Sequence, residues 1–154
     1  MATLLDQTTH QALLDNRNIL VVDDEESIRR LLAYLLQSHG YTVDCAADAR
    51  EARQKLSDQP FALMLCDVNM PGESGMDLVR SLLSDQNHTA AIMVTGLDSS
   101  VLANAALDGG AFGYIVKPFE SNEVLIDVAN ALRRRLLERE SRIHVETFAS
   151  VIPR

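Results

Sequence analysis

Five short apolar runs alternate with segments of helical periodicity along this chain, and this alternation limits the possible folds more than any other feature. The runs are brief and rich in β-branched residues, which favours strands. Strands that alternate with helices favour a parallel sheet with helices on both faces, because right-handed crossovers return each helix to the sheet. The five predicted strands are residues 18–22, 42–46, 62–66, 91–95 and 112–116.

The predicted helices carry recognisable start and stop signals. Asp48 and Glu51 resemble a capping box at the start of the second helix, and Gly40 is placed to end the first. The sequence therefore predicts an α/β, doubly wound (βα)5 fold of the flavodoxin-like type, with a five-stranded parallel sheet of order 2-1-3-4-5. The first helix should present one wide apolar stripe made of Ile28, Leu31, Leu32, Leu35 and Leu36.

Length and charge limit the domain count and the classes of partner. A chain of 154 residues with 47% hydrophobic residues suits one domain, which we expect to span residues 18–135 after an N-terminal extension, residues 1–17. Its formal net charge of −8 does not favour the basic surface that direct nucleic-acid binding requires. Residues 136–154 are charged and predict a helical extension or the start of a linker to a missing output domain.

Cysteine usage and hydropathy predict a cytoplasmic protein. Cys45 and Cys66 lie in apolar segments without metal-type spacing, so we interpret them as buried free thiols in a reducing compartment. The N-terminal residues do not resemble a secretory signal, and no apolar segment is long enough to cross a membrane. No membrane association is expected.

Polar side chains end four of the predicted strands. Asp23 and Asp24 follow the first strand, Asp67 follows the third, and Thr95 and Lys117 end the fourth and fifth. Because ligands of open α/β sheets bind at the carboxyl ends of the strands, we expect these side chains to converge there.

This convergence predicts a cation. Neighbouring carboxylates repel one another, and their oxygens favour Mg²⁺, or Mn²⁺ as a substitute, over a soft metal. Each residue alone has an ordinary explanation as a turn, a helix cap or an exposed side chain. Their joint placement, with the Lys117 cation near the carboxylates, favours phosphoryl chemistry.

These segments resemble the response-regulator receiver domain of two-component phosphorelay systems. The matching stretches are Asp23-Asp24-Glu25, Asp67-Val68-Asn69-Met70-Pro71-Gly72, Thr95-Gly96 and Lys117-Pro118-Phe119, and the resemblance covers about residues 18–135. It implies a phosphoacceptor regulatory domain rather than an enzyme, with a sensor histidine kinase or a phosphotransfer protein as its partner.

The resemblance also assigns residue roles. It implies that Asp67 accepts the phosphoryl group as an acyl phosphate and that Lys117 pairs with a phosphoryl oxygen. Asp24 and Asp67 would bind Mg²⁺ directly, Asn69 through its backbone carbonyl, and Asp23 mainly through water. The resemblance further implies a switch.

In that switch, Thr95 would move toward the phosphoryl group and Tyr114 would turn inward. An ordinary half-buried aromatic is the alternative for Tyr114. The fourth helix, weakly amphipathic, would form the signalling surface with the fifth strand and fifth helix. A homodimer could use this surface or the C-terminal helix.

Two other functions are consistent with parts of this pattern. A phosphatase with an aspartyl nucleophile would use a similar carboxylate, but Asn69 stands where its second Asp would be. A phosphorylation-independent interaction module is the second alternative. The segment 128–135 also resembles receivers that precede cyclic-dinucleotide phosphodiesterase domains of the HD type, which would make the chain a truncated one. These residues do not specify the output, the cognate kinase or the phosphate lifetime.

Overall fold

One parallel sheet organises the protein. The computed structural model describes residues 16–84, 88–96 and 100–151. The sheet has five strands in the order β2-β1-β3-β4-β5, as predicted. In the register of the central strands, Val21 pairs with Cys45 on one side and with Leu65 on the other. The strands are β1 (Asn18–Val22), β2 (Thr42–Ala46), β3 (Leu63–Cys66), β4 (Ala90–Thr95) and β5 (Gly113–Val116).

In the part of the chain that the structure describes, five helices cover both faces of this sheet. Since side chains alternate across a strand, Leu20 and Met64 enter one apolar core, while Ile19 and Leu65 enter the other. The first core is covered by α2, α3 and α4, and the second by α1 and α5. The helices are α1 (Glu26–Gln37), α2 (Ala49–Asp58), α3 (Gly75–Ser84), α4 (Ser100–Asp108) and α5 (Ser121–Val151).

Local signals account for the helix ends. The Asp48 carboxylate accepts a hydrogen bond from the Glu51 amide at 2.8 Å, and the Glu51 carboxylate accepts one from the Ala47 amide at 3.0 Å. This is a capping-box arrangement shifted by one residue, since the return bond comes from the residue before the cap. After α1, Gly40 adopts φ of +88°, a left-handed conformation that glycine tolerates.

Some side chains differ from the prediction. Leu31 is half exposed, because the sheet covers a narrower part of α1 than the sequence stripe, and only Leu32 and Leu36 of that stripe are fully buried. Cys66 is buried as predicted, whereas Cys45 is only partly buried because it lies on the edge strand β2.

Helix α5 continues well beyond the sheet, and its middle is bonded to the segments that precede β1 and β4. Arg135 is buried and donates to the Asn16 side chain and to the His88 carbonyl, both at 2.8 Å. The side-chain amide of Asn16, through Nδ2, in turn donates to the Leu132 carbonyl at 3.1 Å. This hydrogen-bond network includes Asn16, just before β1. Helix α5 continues without a break from residue 135 into the segment for which a helical extension or a linker was expected. Among the helices described, none is both long and apolar enough to cross a membrane.

Candidate functional site

The polar residues that end the strands do meet at one edge of the sheet. The Asp67 amide donates to the Val22 carbonyl at 2.9 Å, which places the segments after β3 and β1 side by side. Lys117 follows β5, and its amide donates to the Thr95 carbonyl at 2.7 Å. Parallel neighbours thus bring these polar groups from distant sequence positions to the same edge.

Lys117 joins the two acidic segments. Its Nζ lies 2.7 Å from Asp23 Oδ2 and 3.4 Å from Asp67 Oδ2. Burial alone would lower the pKa of Lys117, but the hydrogen bond and charge of Asp23, with those of Asp67, outweigh it and raise that pKa. The side chain therefore remains a cation at neutral pH. The peptide bond between Lys117 and Pro118 is cis.

Asp67 has one oxygen beside the lysine and another held by its own loop. Asp67 Oδ1 accepts a hydrogen bond from the Asn69 amide at 3.1 Å, and the residue is 6% exposed. Burial, with a smaller contribution from the Asp23 charge, raises the pKa of Asp67 above its ordinary value, although Asn69 and Lys117 oppose this change. The carboxylate is held in a defined orientation at a site where additional positive charge would stabilise it.

An acidic cluster lies beside Lys117. Oxygens of Asp23, Asp24 and Glu25 lie within 4.8 Å of one another, with Asp23 buried and the other two exposed. The Glu25 amide donates to Asp23 Oδ1 at 2.9 Å, and Arg29 Nη1 donates to the Asp23 carbonyl at 2.6 Å. Hard oxygen donors of this kind suit a divalent cation such as Mg²⁺. The sequence interpretation did not assign Glu25 to the site, although it directly follows the Asp pair.

The start of α3 packs tightly against the Asp67 backbone. A Cβ added at Gly75 would overlap the Asp67 carbonyl oxygen and would lie 3.1 Å from Cys66 Sγ. The Gly75 amide also donates to the Val68 carbonyl at 3.0 Å. Glycine therefore permits a close approach that sequence reasoning missed, because the signal was a single glycine in a turn-rich segment.

Thr95 and Tyr114 occupy the neighbouring strands β4 and β5. Thr95 is fully buried, and Tyr114 is partly buried and packs against the core under α2, α3 and α4. In the sheet register, Tyr114 pairs with Met93, two residues before Thr95. The two proposed switch residues are therefore close in the sheet, on strands next to α4.

Comparison with known proteins identifies this arrangement. The family model described as the response regulator receiver domain matches residues 19–130. The chain belongs to the response regulator receiver family. A receiver domain is a regulatory domain of two-component systems rather than an enzyme, and the strand order found here is that of its CheY-like members.

The curated relatives are longer than the part that this chain matches. The chain is 36% identical over 121 residues to the uncharacterized transcriptional regulatory protein YkoG of Bacillus subtilis, covering 79% of this chain and 53% of that protein. It is 36% identical over 134 residues to the aerobic respiration control protein ArcA of Escherichia coli, covering 85% of this chain and 56% of that protein. The chain thus spans about half the length of the curated relatives it matches.

Solved structures give the same family. The receiver domain protein from Clostridium thermocellum is 32% identical, with a TM-score of 0.73 over 78% of this chain and 97% of that one. The beryllofluoride-activated NtrC4 receiver domain dimer is 32% identical, with a TM-score of 0.74 over 77% and 98%. NtrX from Brucella abortus is 30% identical, with a TM-score of 0.77 over 81% of this chain and 28% of that one.

Proposed function

We propose that this receiver domain is a phosphorylation-dependent switch and that Asp67 accepts the phosphoryl group from a sensor histidine kinase or a phosphotransfer protein. One observation supports the assignment above the others: the Asp67 carboxylate lies at the sheet edge, 3.4 Å from the Lys117 ammonium, which also pairs with Asp23 of the acidic cluster. Family membership supports the class of partner.

In the transfer, an Asp67 carboxylate oxygen forms a bond to phosphorus while the bond from phosphorus to the donor imidazole nitrogen breaks. The electron pair of the broken bond returns to the imidazole ring, and Asp67 becomes an acyl phosphate. The hydrogen bond from the Asn69 amide to Asp67 Oδ1 orients the carboxylate and leaves Oδ2 on the Lys117 side. The chain supplies position and charge, which are the main requirements of phosphoryl transfer.

Magnesium suits the donor set at this edge. Asp24 and Asp67 would hold Mg²⁺, or Mn²⁺, by their carboxylates, Asn69 by its backbone carbonyl and Asp23 mainly through water. The cation supplies screening between a carboxylate nucleophile and an anionic phosphoryl group. The neighbouring carboxylates of Asp23, Asp24 and Glu25 support this fit, because they gather hard oxygen donors at this edge. Burial, with a smaller contribution from the Asp23 charge, raises the pKa of Asp67, so a bound cation would stabilise its carboxylate.

Lys117 would stabilise the product. Its Nζ already lies between Asp23 and Asp67, so it can contact a phosphoryl oxygen on Asp67 with a small side-chain movement. An ammonium paired with a phosphoryl group forms a strong, charge-assisted hydrogen bond. The lysine thereby exchanges one anionic partner for another as the phosphoryl group arrives.

Phosphorylation would then change the surface formed by α4, β5 and α5. Thr95 would bond to the phosphoryl group and Tyr114 would turn inward. Helix α4 is suited to move, since Val101 and Leu107 are exposed and contribute little packing. A homodimer through this surface or through α5 would transmit the change, and the NtrC4 receiver, a dimer in its activated state, supports this form of output.

The compartment belongs to the same proposal. Cys45 and Cys66 are both free thiols, which is consistent with a reducing environment. We therefore expect the protein in the cytoplasm, where phosphorylated kinase domains are available to it.

Intact-mass spectrometry with acetyl phosphate and Mg²⁺ tests the proposal. Wild-type protein should gain one phosphoryl group, and Asp67→Asn or removal of the metal should abolish the gain. Asp77→Asn is the matched control, because Asp77 is an exposed carboxylate of α3 paired with Arg80. If wild type gained nothing under conditions that phosphorylate another receiver domain, the phosphorylation-independent interaction module would replace this proposal.

A further inference from the structure

A two-pronged ion pair joins helix α2 to the loop that follows the phosphoacceptor. Arg53 Nε donates to Glu73 Oε1 at 2.8 Å, and Arg53 Nη2 donates to Glu73 Oε2 at 3.0 Å. The flat guanidinium faces both carboxylate oxygens, so the contact restricts orientation as well as distance. The side chains are 41% and 34% exposed.

Glu73 belongs to a short segment with direct consequences for the site. We call residues 68–74 the phosphoacceptor loop. Its base is held by the bonds from the Asn69 amide to Asp67 and from the Gly75 amide to Val68. Within the described part of the chain, the hydrogen bonds between α2 and this loop are those of Arg53 with Glu73. The base of the loop is held by hydrogen bonds, Val68 and Met70 are buried in the core, and Glu73 provides the polar attachment to α2.

We propose that Arg53 is a positioning residue: through Glu73 it holds the phosphoacceptor loop in the conformation that presents the Asn69 carbonyl and the Asp67 carboxylate to a divalent cation. The inference rests on the proposed function for the roles of Asp67 and Asn69. Side chains that orient metal ligands without touching the metal commonly affect its affinity. Here the orienting contact acts on a backbone ligand through the loop.

If Arg53 acted only through its charge, its loss would strengthen cation binding, whereas a positioning role predicts weaker binding. Removing the Arg53 cation leaves Glu73 unpaired and makes the site more negative, so a purely electrostatic influence would tighten cation binding. Loss of positioning would weaken it. Arg53→Gln separates the two mechanisms by the direction of the change, whereas Glu73→Gln would weaken binding under both.

Magnesium titration followed by NMR, together with backbone amide exchange, tests the inference without phosphorylation. Arg53→Gln should weaken Mg²⁺ binding about two- to fivefold, the range expected when a partly exposed pair is lost. Amide exchange of Asn69 and Gly75 should become faster. Arg53→Lys should have a Mg²⁺ affinity between those of wild type and Arg53→Gln, because it keeps the charge and loses the two-pronged contact.

Two further variants complete the test. Exchanging the partners, Arg53→Glu with Glu73→Arg, should recover most of the Mg²⁺ affinity. Arg30→Gln, which breaks the exposed pair with Glu26 on α1, is the control and should change neither readout. Unchanged or tighter Mg²⁺ binding by Arg53→Gln, or unchanged amide exchange, would overturn the inference.

The two proposals can fail separately. A wild-type protein that binds Mg²⁺ but gains no phosphoryl group contradicts the proposed function, while the effect of Arg53 on affinity and amide exchange still decides this inference. If wild type is phosphorylated but Arg53→Gln has the same Mg²⁺ affinity and amide exchange as Arg30→Gln, only the role of Arg53 is contradicted.

Discussion

Lys117 Nζ is closer to Asp23 than to Asp67, at 2.7 Å against 3.4 Å. Asp23 is 1% exposed, so the lysine neutralises the more deeply buried carboxylate and also reaches Asp67. This arrangement stabilises three charged groups at the sheet edge. It also makes the lysine and a bound cation alternative sources of positive charge for the same carboxylates.

The first prediction follows from this shared role. Lys117→Met should lower the free energy of unfolding by about 1–3 kcal/mol without a divalent cation, because a buried carboxylate loses its charged partner. Mg²⁺ should stabilise this variant more than it stabilises wild type. Chemical denaturation with and without Mg²⁺ measures both effects.

Lys55→Met is the control for that experiment. Lys55 pairs with Asp44 on the edge strand β2, away from the acidic cluster, so its loss should not change the stabilisation by Mg²⁺. If Mg²⁺ stabilised Lys117→Met and wild type equally, the lysine and the cation would not act on the same carboxylates.

The second prediction concerns the close approach of Gly75 to the Asp67 backbone. Alanine normally stabilises a helix relative to glycine, but at Gly75 its Cβ would overlap the Asp67 carbonyl. We expect Gly75→Ala to lower the free energy of unfolding by about 1–3 kcal/mol through overpacking. It should also slow phosphorylation by acetyl phosphate, since Asp67 must shift. Denaturation and intact-mass time courses measure these changes.

Gly72→Ala provides the comparison for Gly75. Gly72 has φ of +81° and open space around its Cα, so alanine there is strained but does not press on Asp67. The expected cost is about 1–2 kcal/mol. Phosphorylation should be slowed less by Gly72→Ala than by Gly75→Ala, and equal slowing would argue against a displaced Asp67.

Much of this architecture could be predicted because buried parallel strands leave a strong local signal. The ends of β1 and β2 agree with the predicted ranges, and the starts of β3, β4 and β5 differ by one residue. The ends of the predicted strands also indicate that Asp23, Asp67, Thr95 and Lys117 lie at one edge. Local hydropathy is sufficient for such features.

The individual side-chain contacts could not be predicted from the sequence, because they join residues that are far apart along the chain. Lys117 and Asp23 are 94 residues apart, and Arg53 and Glu73 are 20 apart, so no local pattern specifies their pairing. Leu31 shows a related limit: helical periodicity identifies the apolar stripe of α1 but not how much of it the sheet covers.

The third prediction is a pH dependence at the edge strand. Asp44 Oδ1 lies 2.7 Å from Lys55 Nζ. Burial raises the pKa of Asp44, but the hydrogen bonds from Lys55 and from the Cys45 amide, together with the charge of Lys55, outweigh it and lower that pKa. The Asp44 hydrogen bond raises the pKa of Lys55 above 10.5, although burial opposes it. Both groups are therefore charged across the neutral range.

The sign of the effect follows from these directions. The Asp44 contribution is complete above pH 3.8 and is lost as the pH falls through its lowered pKa; that of Lys55 is complete below pH 10.5 and is lost as the pH rises through its raised pKa. Lys55→Met should cost about 0.2–1 kcal/mol at pH 7, a range already reduced for solvent screening. An NMR titration of the Asp44 carboxyl should show a higher pKa in the variant. An unchanged titration would show that the pair is not formed in solution.

The last prediction addresses the network at the opposite end of the sheet. Arg135 donates to Asn16 and to the His88 carbonyl, and Asn16 donates back to α5 at Leu132. Arg135→Gln should lower the free energy of unfolding by about 1.5–3 kcal/mol and Asn16→Ala by about 1 kcal/mol. Because both variants break the same network, their combined cost should be less than additive, which a double-mutant cycle by chemical denaturation measures.

Arg134→Gln is the control, since Arg134 is exposed on the Phe112 ring and pairs with Glu138. Full additivity would mean that Asn16 does not anchor α5. A combined cost below the sum of the two single costs would make residue 16 part of the folded domain. If phosphorylation of Asp67 were also unchanged in these variants, the attachment of the long helix would be independent of the chemistry at the other edge.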